Sequence, residues 1–80
     1  MMSDTDVLER SKWLAEGKVS AQQIYWGPDK GLRLRGWFPK LRGLFVRNID
    51  DPEDGYPVRS AAIAAGKRYR DNCAAWAANH

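Results

Sequence analysis

The sequence predicts a small α+β fold: a helix over residues 3–16, a three-stranded antiparallel sheet over 23–49, and a long helix over 60–79 packed on one sheet face. Three observations carry this reading. Positions 62, 66, 69, 73 and 76 step by fours and threes, the spacing that keeps Ala62, Gly66, Tyr69, Cys73 and Trp76 on one side of a helix. Residues 32–38 instead alternate, with Leu32, Leu34 and Phe38 on one side and Arg33, Arg35 and Trp37 on the other, which is the period of a strand. Between them and the preceding Ile24-Tyr25-Trp26 lies Gly27-Pro28-Asp29-Lys30-Gly31, where proline presets φ and glycine accepts a positive φ, so the chain reverses there.

The elements follow in order. Ser3 and Asp6 approximate a capping box for the first helix, and Asp4 and Asp6 suit the positive end of its dipole. Val7, Leu8, Ser11, Leu14 and Ala15 share one arc of that helix, Asp6 and Arg10 pair on its outside, and Gly17 stops it. Trp13 lies off the arc. It either folds back over the sheet or stands as an exposed anchor of the kind enriched at interfaces. A first strand is expected over 23–26 and a second over 32–38. Pro39-Lys40 then starts a connection with Gly43 near its end. A third strand over 44–49 alternates less strictly and is expected to be the more central one. Residues 50–55 form an acidic loop too polar to be buried, and Tyr56–Val58 can add a short edge strand. Ser60 is placed to cap the last helix, which spans roughly 30 Å if it holds about 20 residues. Small Ala62 and Gly66 let that helix approach the sheet closely, while the face carrying Arg33, Arg35 and Trp37 is left open or half covered by the first helix.

Eighty residues form one domain near the lower limit for a single hydrophobic core, and 44% apolar content is ordinary for a folded one. One cysteine, Cys73, precludes an intramolecular disulfide, and Cys73 reads as a small packed residue rather than a nucleophile. No apolar run is long enough for a membrane span. The one histidine, His80, is the last residue, so neither Ser-His-Asp nor Cys-His chemistry is assembled and a four-ligand zinc site is not available. The acidic loop lacks the spacing of an EF-hand, and no phosphate-binding Gly-Lys-Ser/Thr follows Gly27 and Gly31. No enzyme activity, metal or cofactor is expected.

Charge is distributed unevenly. Residues 30–49 hold six bases (Lys30, Arg33, Arg35, Lys40, Arg42 and Arg47) and no acid, whereas Asp50, Asp51, Glu53 and Asp54 crowd the next loop. A charge cluster of this kind is either a solvated face or a contact for an anionic partner. Arginine forks match phosphate oxygens and guanine edges, and tryptophan adds a stacking plane. The expected partner-binding residues are therefore Trp13, Arg33, Arg35, Trp37, Lys40, Arg42 and Arg47.

Two resemblances arise at these residues. Arg33-Leu34-Arg35-Gly36-Trp37, with Asp51-Pro52 and an alanine-rich helix containing Tyr69, resembles the AP2-type DNA-binding domain and the arm-binding domains of phage integrases. These pack three strands on one helix and read DNA from the sheet. The run Gly55-Tyr56-Pro57-Val58-Arg59-Ser60-Ala61-Ala62, leading into Tyr69, Cys73 and Trp76, resembles the final helix of small phage and prophage accessory proteins, anti-CRISPR proteins among them. That likeness implies a non-catalytic protein that binds and inhibits or regulates a host nucleoprotein complex in the host cytoplasm. Sequence-selective binding of double-stranded DNA by the basic sheet face is the alternative, and a homodimer through the open face is a third reading. No membrane partner is expected.

Overall fold

A computed structural model of the chain describes residues 4–26 and 33–79, with the side chains of residues 4, 25, 26 and 33–35 outside the described set. The expected turn at 27–31, Leu32, the Ser3 cap and His80 also lie outside it. The order is α1 (Asp4–Ala15), β1 (Val19–Trp26), β2 (Arg33–Leu41), β3 (Leu44–Phe45) and α2 (Arg59–Ala78). The strands form one antiparallel sheet in the order β1-β2-β3, so the predicted α+β architecture is the observed one.

The α1 arc falls where its spacing places it: Leu14 is buried and Val7, Leu8, Ser11 and Ala15 are half-buried. That arc packs against α2, not over the open sheet face. Along α2, Ala62, Ala65 and Gly66 are buried, and Tyr69, Cys73 and Trp76 are half-buried. Gly66 shows why the inner face is small: a Cβ there would stand 2.6 Å from Val19 Cγ1 and 3.4 Å from Pro39 Cβ. The helix lies against β1 and β2 at a distance only hydrogen tolerates. Its N-cap is Val58, in extended conformation and without a side-chain hydrogen bond, so Ser60 falls inside the first turn and does not cap.

The strands depart from expectation in length and in facing. β1 begins at Val19, since Val19–Gln22 pair with Phe38–Leu41. β2 correspondingly runs through Pro39 and Lys40, which the sequence reading gave to a connection. A proline is tolerated in this central strand because its missing N–H falls on the β3 side. There Trp37 exchanges backbone bonds with Tyr56, and Pro39 is asked only to accept, from the Val46 amide (3.1 Å). β3 is a two-residue edge strand, not a central one. It stops early because the Asn48 amide bonds the Asp51 carboxylate (2.7 Å) and leaves the ladder.

Which face carries which residue is also corrected. Val19↔Leu41, Ala21↔Pro39 and Gln23↔Trp37 are cross-strand pairs, and directly paired residues share a face. Val19 and Pro39 touch α2 at Gly66, so Trp37 belongs to the helix-facing side and Phe38 to the opposite one. The sequence reading had these two reversed. Its alternation also crosses a bulge: Ile24 pairs with Gly36 but Tyr25 with Leu34, leaving Arg35 as the extra residue. Gly36, at φ +143°, sits where the loop crosses β2, and a Cβ there would lie 2.5 Å from the Asp54 carbonyl oxygen.

Candidate interaction surface

Three features make up the candidate site. On the sheet face away from α2, Gln22, Ile24, Phe38 and Lys40 are joined by Phe45, which pairs with Lys40. The Lys40 ammonium lies 4.9 Å from the Phe45 ring centre and donates to Gln22 Oε1 at 3.0 Å. Phe45 is nonetheless 53% exposed. Beside it, a cavity of about 250 Å³ opens in the gap between β3 and the Tyr56 bridge, lined mainly by Ile24, Phe38, Phe45, Val46, Gly55 and Tyr56. The 54–56 loop crosses this face over Gly36 and Phe38, Arg47, Asp51 and Glu53 add both signs of charge to the cavity's lining, and Phe45 and Gln22 remain exposed.

The second feature joins α1 to the β2–β3 hairpin. Arg42 and Gly43 form its two-residue turn with φ of 53° and 78°, the positive values of the hairpin turn whose twist matches the strands. This turn aims the Arg42 side chain at the C-terminal end of α1. The guanidinium lies 4.7 Å from the Trp13 ring centre, and Nε donates to the Trp13 carbonyl at 2.6 Å. A carbonyl left open by the helix end thus receives a cation, the charge its dipole favours. Trp13 remains 45% exposed. It neither folds over the sheet nor stands alone: it is half of a cation–aromatic platform.

The third feature is polar and buried. Asp51 is only 6% exposed, against the expectation for its acidic loop. Its carboxylate accepts from the Asn48 amide (2.7 Å), the Asn48 side chain, the Tyr56 hydroxyl and Arg68 Nη2 (3.2 Å). Asn48 Nδ2 also donates to the Ala65 carbonyl of α2 (3.0 Å). Burial alone would raise the Asp51 pKa, but the Tyr56, Asn48 and Arg68 interactions together hold it below the ordinary value of 3.8. Burial and the neighbouring carboxylate raise that of Tyr56. The arrangement ties the loop to α2, and through Tyr56 to β2, so it fixes one wall of the cavity.

The expected site residues are therefore scattered. Lys40 is on the open face, Arg42 and Trp13 meet at the α1 end, and exposed Arg47 donates to the Asp51 carbonyl at 3.4 Å. Trp37 is half-buried on the α2 side and leaves the set of outward-facing residues. The Arg33 and Arg35 side chains lie outside the described residues. Phe38 and Phe45 were missed. Phe45 was legible only through its register opposite Lys40, which a two-residue strand does not announce. Burial raises the Cys73 thiol pKa, in keeping with a packed residue. No helix among the described residues is long and apolar enough to cross a membrane. The chain matches no protein-family model, no curated protein and no solved structure.

Proposed function

We propose that this chain is a non-catalytic binding protein that docks on a host nucleoprotein complex and inhibits or regulates it, in the manner of phage accessory and anti-CRISPR proteins. The observation that supports this reading is the sheet face opposite α2, on which Lys40 lies over a half-exposed Phe45 beside a largely apolar cavity. An aromatic anchor with a pocket next to it and a cation at its rim is the composition of an interface centre. The Trp13–Arg42 platform supplies a second exposed aromatic and cation of the same kind.

Direct binding of double-stranded DNA is the second reading, favoured by six bases and no acid over residues 30–49. It loses the stacking role expected of Trp37 and retains the backbone-phosphate contribution of Lys40, Arg42 and Arg47. Titration against a purified nucleoprotein effector complex and against duplex DNA separates the two. Docking on the complex predicts saturable binding that Phe45→Ser abolishes. DNA binding predicts affinity for naked duplex that drops steeply with salt, because each neutralised phosphate releases counterions. Equal affinity of wild type and Phe45→Ser for the complex overturns the first reading.

A further inference from the structure

The two edges of the sheet are treated differently. On one, β3 is two residues long, Pro39 withholds a donor, and Tyr56 takes up the bonds of Trp37. The other edge is β1, Val-Ser-Ala-Gln-Gln-Ile-Tyr-Trp, eight residues without a charge or a proline. No strand among the described residues pairs with its outer side. Natural sheets shield such edges with lysines, prolines, bulges or very short strands. Among the described residues the one bulge is on the β2 side of β1.

The hydrogen-bond phase shows which groups face outward. Trp37 bonds Tyr56 and Pro39 bonds Val46, so odd-numbered β2 residues bond away from β1 and even-numbered ones bond toward it. Arg42 N bonding Lys18 O, one step beyond the ladder, has the same phase. In β1 the inward residues are thus Ser20, Gln22 and Ile24, and the N–H and C=O of Val19 and Ala21 point out. Their side chains lie on the α2 side of the sheet.

We propose that the outer edge of β1 is a self-association seam, on which β1 of a second copy pairs antiparallel about a two-fold axis normal to the sheet. Such an axis keeps α2-facing residues beside α2-facing residues, so Val19 and Ala21 of each copy extend one apolar layer. It also opposes outward donors to outward acceptors without a change of register. A second copy is the occupant the charge pattern favours: the chain carries a net +3, yet no charge falls within the seam, so like-charged molecules meet there without local repulsion. The resulting six-stranded sheet leaves the Phe45 face of each copy free, so the inference stands apart from the proposed function.

Sedimentation across a concentration series tests it, with backbone amide exchange read in parallel. Wild type is expected to reach twice the 9.1 kDa chain mass, with the Ala21 amide protected as the dimer forms. Gln22→Lys, at an exposed position, places a like charge on each copy at the seam and is expected to weaken dimerisation at least tenfold. Ala21→Pro removes an outward N–H and is expected to do the same, with native circular dichroism as the check on folding. Phe45→Ser is expected to leave the dimer intact. A wild type that stays monomeric, or forms a dimer that survives Gln22→Lys and yields to Phe45→Ser, overturns the seam.

Discussion

Arg42 holds its guanidinium 4.7 Å from the Trp13 ring while its Nε closes on the carbonyl of the same residue at 2.6 Å. One side chain thus joins the end of α1 to the β2–β3 hairpin, and it does so from a residue with φ of 53°. The backbone conformation and the contact can be separated by mutation. Asparagine suits positive φ better than arginine, so Arg42→Asn removes the guanidinium while easing the backbone and should cost less than about 1 kcal/mol, the scale of an exposed cation–aromatic contact. Arg42→Ala keeps a Cβ in the left-handed conformation, a cost arginine already bears, so it should lose only the guanidinium contacts, about 1 kcal/mol, and be the less stable of the two variants. Urea unfolding of the two variants, followed by tryptophan fluorescence, measures the difference.

Gly66→Ala tests the closeness of α2. Alanine should gain up to about 1 kcal/mol of helix propensity. The new methyl, however, would meet Val19 Cγ1 at 2.6 Å, and Val19 is a stiff β-branched residue. The expected net result is a destabilisation of about 1–3 kcal/mol, the usual range for overpacking. Adding Val19→Ala should recover most of it. A non-additive double-mutant cycle in thermal unfolding is the signature.

Asp51 makes stability fall in acid. Its folded-state pKa is below the ordinary 3.8, so the folded protein holds the charged form more strongly than the unfolded chain does. The stabilisation is therefore fully present above the unfolded value and is lost as pH drops through the folded one. Wild-type stability should decline below about pH 4, the range where unfolded aspartates protonate. Asp51→Asn should remove that part of the decline while costing about 2–3 kcal/mol at neutral pH, from weakened bonds to Tyr56, Asn48 and Arg68. Chemical unfolding at a series of pH values reads both effects.

Tyr56 gives the complementary alkaline limb. Its pKa is raised above 10.0 by burial and by the Asp51 carboxylate. The folded state therefore resists deprotonation, and stability present below pH 10 should fall as pH rises through the folded value. Tyr56→Phe should abolish this limb and leave the backbone bridge to Trp37 in place. Phenolate absorbance during alkaline titration follows it directly.

Gly36→Ala addresses the loop crossing. Both the φ of +143° and the 2.5 Å approach of the Asp54 carbonyl disfavour any side chain. The bridge between Trp37 and Tyr56 should open, with faster exchange at both amides and a loss of about 2 kcal/mol or more from backbone strain and overlap.

Much of the fold was determined by local pattern. The α1 arc, the small inner face of α2 and the existence of three strands follow from the spacing of Leu14, Ala62, Gly66 and the alternating residues of β2, because helical and strand periods act on side chains along one element. The register was not so determined. An extra residue at Arg35 reverses the alternation, and only pairing with β1 reveals it. Which face of the sheet α2 covers is likewise a choice between two equivalent sides, settled by how closely Gly66 can approach Val19 and Pro39. That choice moved Trp37 inward and Phe38 outward, and it changed the candidate surface from an arginine–tryptophan strand to the Lys40–Phe45 face. Asp51 shows the same limit. Its charge argued for solvent, and only the folding of Asn48 and Tyr56 of its own loop around it, together with Arg68 from α2, makes burial affordable. The sequence decided what each segment can become, since that depends on neighbours a few residues away. The tertiary structure decided what each side chain meets, because those partners come from segments far apart along the chain.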